Sequence, residues 1–560
     1  MKKIILTTLN ARYTHTSLAL YYLKSVLDEQ NIFSEICEYN INQPRLDIIE
    51  DILDKEPDII AFSIYIWNVE QIKPIIKDLK RLRQDITIIV GGPEVSYQSD
   101  KWLAEFPQLD YIVTGAGEGV ISEIIKDSSG NMKGIVPGKA VSLSEISFPY
   151  RNIEVEGKES RYFYYETSRG CPFRCAYCLS SRSDQKLQYR NLDKVYEELE
   201  YFIKEGYRHV KLVDRTFNAN SERARAIWTK ICELYQEYPE SNTGFHFEIH
   251  PQLLGIEDFE ILAEVPEERF RFEMGIQTLN EEVGKIIHRI MDWEKVSANI
   301  LKIKNLGNIH LHLDLIAGLP GEDITSFAAG FDRVMKLGCE HLQLGFLKIL
   351  GGTEMESMVE DYGIIYQSTA PYHVMQTSKV SWQEMSQIRK VESIMDIYYN
   401  SGRYQTSMEY ILTEIKISAW RLFWVLASYF SEQGLDLRMR DWEKCAWALK
   451  EYLVRDQQIV EDVLLDALRI DWCQQSRSHY YPEFLRHKKL DEAREKAYAI
   501  LLTYKNQERK MQAAQIRQAI FFQSISGTYF QGEILVFYGR PGRKEVLKLE
   551  GKIIEHRLDG

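Results

Sequence analysis

Three of the chain's eight cysteines crowd into one short stretch, RGCPFRCAYC, which runs from Arg169 to Cys178. Their spacing is Cys171-x3-Cys175-x2-Cys178. A structural zinc site closes its tetrahedron with four protein ligands, and the next histidine and cysteine are distant, at His209 and Cys232. Ferredoxin loops use another spacing and recruit a fourth cysteine. Three thiolates alone fit a [4Fe-4S] cube with one iron left open, and an open metal position is what a catalytic site keeps. Gly170 and Pro172 shape a tight loop, and Phe173 and Tyr177 limit water around it.

The loop has to be held by something. RYFYYETSRG reads as a strand leading into it. Five more strand-like runs follow, each with helical or loop sequence after it: HVKLVDRTFN, GFHFEIHP, RFRFEMGIQTLN, HLHLDLIAGLPGE and HLQLGFLKILGGT. Six such units over roughly residues 160 to 355 predict a partial βα barrel whose carboxyl-end rim carries the chemistry. The polar residues at those ends are Asp214 and Arg215, Glu248 and His250, Glu273 and Gln277, and Asp314. HLHLDL alternates, so His310, His312 and Asp314 share one side of their strand. That side either lines the pocket or faces the helices, and two histidines alone do not define a metal site.

Ahead of the barrel, strands and helices alternate from KIILTTL to VISEIIKD, five βα units in all. The pattern predicts a doubly wound parallel sheet, with ligands bound outside the carboxyl ends of its strands. Those ends read NARYTHTS, SIYIWN, GGPE and GAGEG, and glycines there let a large flat ligand approach the backbone.

Across 560 residues the net charge is −13 and the pI about 5.6. That balance argues against a general nucleic-acid or anionic-membrane partner, leaving only a local basic groove. The N-terminal apolar run is too short for a signal peptide, and no stretch reaches the ~18 apolar residues of a membrane span. A cytosolic protein is expected, with reduced thiols.

Together these residues resemble the cobalamin-binding radical S-adenosylmethionine enzymes, in the subgroup with a C-terminal domain of unknown function. The resemblance implies an α/β fold in four parts: a Rossmann-like cobalamin domain over 1–135, a linker over 136–159, a radical barrel over 160–360 and a mainly helical domain over 361–560. It implies three cofactors: a [4Fe-4S] cluster on Cys171, Cys175 and Cys178, S-adenosylmethionine chelated by the open iron, and cobalamin. It implies that S-adenosylmethionine is cleaved to a 5′-deoxyadenosyl radical. The cofactor's contacts then fall to Phe173, Tyr177 beside the adenine, Asp214 at its amino group, Glu248 or Glu273 at the ribose hydroxyls, Gln277, and Asp314. For cobalamin the candidates are Asn10, His15, Ser63, Trp67, Asn68, Gly91, Gly92, Gly115, Gly117 and Glu118. The family's Asp-x-His-x-x-Gly motif is absent, and His15 is the one histidine in the corresponding loop. Cobalt without a histidine ligand, its lower face covered near Trp67 and Asn68, is the preferred reading.

From about Ser378 the sequence turns helical and rich in aromatics, which at helical spacing mark a core or a lid over the barrel. It closes in a hairpin around GRPGRK. Cys37, Cys232, Cys339, Cys445 and Cys473 are read as buried small residues. The leading functional reading is methyl transfer to an unactivated carbon of a small molecule or peptide, with flavodoxin or ferredoxin as electron donor. The alternatives are a radical rearrangement or cyclisation without methylation, and a non-catalytic iron–sulfur protein. An RNA methylthiotransferase would need an N-terminal cysteine triad, and only Cys37 precedes Cys171.

Overall fold

The computed structural model describes residues 2–127, 129–151, 156–181, 186–414, 417–455, 460–476 and 481–486, and the strand segments 516–521, 534–540, 543–549 and 553–556. The chain divides into two compact units, Met1–Met385 and Ser386–Gly560.

The first unit opens with six parallel strands: β1 Ile4–Asn10, β2 Glu35–Asn40, β3 Ile59–Ser63, β4 Thr87–Gly91, β5 Tyr111–Thr114 and β6 Gly134–Pro137, in the order β2-β1-β3-β4-β5-β6. All seven residues of β1 are buried, as expected for a parallel strand covered on both faces. Its two threonines are satisfied there: Thr7 Oγ1 donates to the Cys37 carbonyl and Thr8 Oγ1 to that of Ser63, both at 2.7 Å. Ile5, Ile60 and Ile88 pack under the helices Arg45–Asp54 and Val69–Leu82. Ile4, Ala61 and Ile89 pack under the helices Leu18–Glu29 and Ile121–Lys126. Ile72, Ile75, Ile76 and Leu79 of Val69–Leu82 are fully buried, each contributing about 1.5–3 kcal/mol. The sixth strand was not expected. It extends the sheet to Pro137, past the boundary at 135, because Gly134–Pro137 pairs along β5.

The barrel strands are β7 Tyr162–Tyr165, β10 His209–Leu212, β11 Gly244–Glu248, β12 Phe270–Gln277, β13 Ile309–Ala317 and β14 His341–Phe346, all parallel in that order. Between β7 and β10 lies a short antiparallel pair, β8 Ser168–Arg169 with β9 Gln188–Tyr189. Phe163 and Tyr165 of β7 face the helices, where Tyr165 meets Phe202 at 5.5 Å and Phe163 meets Tyr207 at 4.8 Å. Tyr162 and Tyr164 therefore face inward. The hairpin β15 Ile365–Tyr366 and β16 Val374–Gln376 belongs to this first unit, so the unit runs past residue 360.

In the second unit the run MEYILTEIKISAWRLFWVLASYFSEQG, which reads in sequence as one helical stretch from Met408, holds two helices, Gln405–Glu414 and Ala419–Glu432, with the Ser418 hydroxyl capping the second at Arg421 N. Trp420, Phe423 and Phe430 are buried core. The helices Trp442–Arg455 and Glu461–Gln475 follow. The hairpin around GRPGRK, β18 Ile534–Arg540 with β19 Arg543–Leu549, is the centre of a four-stranded antiparallel sheet that adds β17 Ile516–Phe521 and β20 Ile553–His556. The run LDEAREKAYAILLTYK, residues 490–505, whose sequence also reads as helical, lies outside the described residues, as does the side chain of Cys473. Cys37, Cys339 and Cys445 are buried, and Cys232 half-buried.

Candidate functional site

The cysteine loop hangs from β8. Gly170 has φ +96°, and a Cβ there would meet the Lys186 carbonyl at 3.2 Å, so the turn requires glycine. Two backbone bonds hold the far side of the loop, from Ala176 N to Ile287 O at 3.1 Å and from Met355 N to Ala176 O at 3.0 Å. Asp214 pins the near side. It is 1% exposed and accepts from Thr167 N at 2.9 Å, Thr167 Oγ1 at 2.6 Å and Ser168 Oγ at 2.6 Å. Both its oxygens are engaged in positioning the loop. This corrects the expectation that Asp214 meets the cofactor's amino group.

Burial pushes the Cys171 thiol up, and proximity to Cys178 and Cys175 adds to that. Thr216 Oγ1 lies 3.6 Å from the Cys171 sulfur, and Arg289 Nη1 lies 4.0 Å from that of Cys175. Arg289 also donates to the Gly275 carbonyl at 2.6 Å, while its Nε is buried without a partner. Cations beside thiolates favour their charged, metal-binding form. Among the described residues no three His, Cys, Asp or Glu side chains converge on one ion. A cube puts each thiolate on a separate iron, so the sulfurs need not approach within the roughly 4 Å that ~2.3 Å bonds to a shared ion require. The loop fits a cluster on these grounds. Thr216 and Arg289 were not foreseen. Thr216 follows the Asp214-Arg215 pair directly, whereas nothing local marks Arg289.

Above the loop, Gln277 ends β12 with φ +69° after a register shift at Gly275. Its amide nitrogen lies where a Gly275 side chain would begin, and its Oε1 is buried without a partner. Strained backbone and an unpaired buried acceptor together mark a ligand contact. Glu248, the last residue of β11, lies 3.7 Å from Arg215, and burial raises its carboxyl. Glu273 sits mid-strand, held by Lys211 at 2.6 Å and His246 at 3.0 Å. Burial works to raise its carboxyl, and those two partners outweigh burial and hold it low. The two carboxylates lie side by side on neighbouring strands; Glu273 is taken by Lys211 and His246, and Glu248, with Arg215 at 3.7 Å, is the freer acceptor for a ribose diol. Asp314 pairs with His312 at 3.2 Å. Phe173 stacks on His250 at 4.7 Å, and Tyr177 is buried beside Cys175.

In the N-terminal sheet, a slot of about 130 Å³ opens at the strand ends, lined by Ser63, Gly91, Gly92, Gly115, Gly117 and Glu118. Tyr65, not foreseen, also lines it, and exposed Trp67 stacks on Tyr65 at 4.4 Å. Gly115 has φ +78° and nothing within 4 Å of its missing Cβ. Gly92 has φ +109°, and a Cβ there would press into the Ile64 carbonyl. A larger residue at 92 would therefore break the turn rather than fill the slot. An apolar slot framed by glycines suits a part of a cobalamin held by close backbone approach.

Three expected cobalamin contacts lie elsewhere. Asn68 is fully buried, donating to Thr8 Oγ1 at 3.0 Å and Leu9 O at 3.1 Å and accepting from Tyr65 N at 2.8 Å, so it fastens strand ends together. Asn10 donates to the His15 carbonyl at 2.9 Å and to Glu38 at 3.0 Å. His15 forms a bridge to Tyr162 on the barrel edge, with its ring stacked on Tyr162 at 5.7 Å and Nδ1 against the Tyr164 hydroxyl. Burial lowers its pKa, with Arg12 adding to the effect. His15→Ala is expected to leave the absorbance spectrum of bound cobalamin unchanged, and a shifted cobalt band in that variant would restore His15 as a ligand.

The comparisons bear on both sites. Residues 165–333 match the Radical SAM superfamily and residues 4–125 the B12 binding domain, while residues 360–542 match a protein of unknown function, DUF4080. The chain carries a B12 binding domain and a radical SAM domain. Its cofactors are therefore a [4Fe-4S] cluster, S-adenosylmethionine and cobalamin. Among curated relatives, this radical protein is 23% identical over 323 residues to the 2-(S-pantetheinyl)-carbapenam-3-carboxylate methyltransferase of Streptantibioticus cattleyicolor, covering 50% of this chain and 45% of that one. It is 23% identical over 350 residues to the cobalamin-dependent radical SAM methyltransferase TokK of Streptomyces tokunonensis, covering 55% and 50%. The chain spans about half the length of the curated relatives it matches. Among solved structures it shares the fold of OxsB with aqua-cobalamin bound, at TM-score 0.57 and 15% identity over 84% of this chain and 79% of that one. It also shares the fold of TsrM from Kitasatospora setae with cobalamin and [4Fe-4S] cluster bound, at TM-score 0.54 and 17% identity over 66% and 76%. Among the described residues no helix is long and apolar enough to cross a membrane.

Proposed function

We propose that the chain is a cobalamin-dependent radical S-adenosylmethionine methyltransferase acting on an unactivated carbon of a small molecule or peptide, with flavodoxin or ferredoxin reducing its cluster. One observation carries the reading. Arg169, two residues before Cys171, donates at 2.9 Å both to Glu118, which lines the glycine slot, and to Glu166. The cobalamin slot and the cluster loop thus share one strut. When bound, the cluster and S-adenosylmethionine supply reductive cleavage, and cobalamin supplies methyl transfer. The protein's part is positional: Asp214 and Gly170 fix the loop, Gln277 and Glu248 present acceptors at the rim, and the strut sets the distance between the two sites. Holding reactants aligned in this way lowers an entropic barrier by up to ~7–11 kcal/mol. The relatives named as methyltransferases support the same reading.

The test needs no substrate. Anaerobically reconstituted protein, given S-adenosylmethionine and a chemical reductant, is expected to form both 5′-deoxyadenosine and S-adenosylhomocysteine, the latter limited to about one equivalent of the bound cobalamin. Deoxyadenosine without the homocysteine product would favour rearrangement or cyclisation. Failure to form deoxyadenosine would leave a non-catalytic iron–sulfur protein.

A further inference from the structure

At the end of β12 the backbone takes a conformation that few side chains accept. Gln277, its last residue, has φ +69°, and Thr278 N donates back to Ile276 O at 2.9 Å. A bond to the second residue back, around a centre with positive φ, makes a γ-turn of the rare, strained kind. Such strain persists only where the surroundings over-determine the backbone. Two contacts do so here. Ahead of the turn, Arg289 donates to the Gly275 carbonyl at 2.6 Å. Behind it, the Thr278 hydroxyl donates to Glu322 Oε1, also at 2.6 Å.

Glu322 belongs to a different segment. It follows β13 in the turn of AGLPGE, where Gly318 and Gly321 have φ +85° and +84°. Both Thr278 and Glu322 are buried. Asn280 Nδ2 donates to Ser326 Oγ at 2.8 Å and ties the same two segments a second time. Glu322 makes no ion pair among the described residues, and its Oε2 is buried without a hydrogen bond. Burial pushes its carboxyl up to about 7, with the Thr278 hydroxyl pulling it down and Asp323 adding to the rise. A buried carboxyl with one oxygen unsatisfied costs stability. The bond its other oxygen makes is the one that holds the strained turn.

We propose that Glu322 is a positioning residue for S-adenosylmethionine: through Thr278 it holds the γ-turn that aims the Gln277 amide at the cofactor. This rests on reading Gln277 as a ligand contact, and the test separates the two. Binding of S-adenosylmethionine to the reconstituted holoprotein is measured by calorimetry without reductant, so that no cleavage occurs. Glu322→Leu is expected to weaken binding about fivefold or more, the usual net contribution of one hydrogen bond, with iron content and cobalamin binding unchanged. Glu322→Gln keeps an acceptor for Thr278 and should recover most of that loss. Thr278→Val removes the same bond from its other end and should match Glu322→Leu, which covers the case that the leucine variant folds poorly. Gln277→Ala should weaken binding at least as much, and Glu322→Leu added to it should weaken binding no further, because residues that act through one another are not additive. Losses that multiply in the double variant, or parent-like binding in both Glu322→Leu and Thr278→Val, overturn the proposal and leave Gln277 as a contact. Parent-like binding in Gln277→Ala overturns the reading of Gln277 and this proposal with it.

Discussion

Replacing Cys171, Cys175 and Cys178 together by Ala is expected to strip the reconstituted protein of iron and to bring S-adenosylmethionine cleavage down to the protein-free background. Removing a partner that only orients a metal ligand typically costs ~10–100-fold in affinity or activity, and losing all three ligands exceeds that. The fold is expected to survive. The loop's anchors, Asp214 on Thr167 and Ser168 and the Ala176–Ile287 backbone bond, involve no sulfur. The N-terminal sheet has cores of its own. Iron content, the absorbance of the cluster and product chromatography measure the loss, and circular dichroism with cobalamin binding measures what remains. A triple variant that still holds a four-iron cluster would refute this account of the loop.

Gly91→Leu is expected to have the second-largest effect, weakening cobalamin binding while the protein stays folded. Gly91 ends β4 with ordinary backbone angles, and a Cβ there meets only Val113, at 3.7 Å. The rest of a leucine side chain would enter the slot. Overpacking costs ~1–3 kcal/mol, or about 5- to 150-fold in affinity. Gly92→Val is the control, because its side chain would strike the Ile64 carbonyl and its φ is left-handed. That variant should lose stability, by ~1–3 kcal/mol for the strained backbone, and its melting temperature should fall. Equal cobalamin titrations for Gly91→Leu and the parent protein would move the site out of the slot.

What the sequence by itself determined is local or periodic. The Cys-x3-Cys-x2-Cys spacing defines a three-thiolate loop whatever surrounds it. Apolar runs alternating with helical ones predicted two parallel sheets, because strand and helix periods differ and each run must bury its apolar side. The glycines of GGPE and GAGEG marked the slot, since glycine at a strand end has a backbone cause. Alternation in HLHLDL put His310, His312 and Asp314 on one side of β13. Only the packing of Leu311 and Leu313 away from them decided that this side faces the lumen. Tertiary structure also decided every polar residue whose partner is far along the chain. His15 was read as a cobalt candidate and is taken by Tyr162 and Tyr164, 147 to 149 residues on. Asp214 was read as a cofactor contact and is spent on Thr167 and Ser168, 46 to 47 residues back. Arg289 reaches Cys175 across 114 residues. A buried polar side chain is claimed by whichever partner folding brings within about 3 Å, and residue type carries no record of that distance.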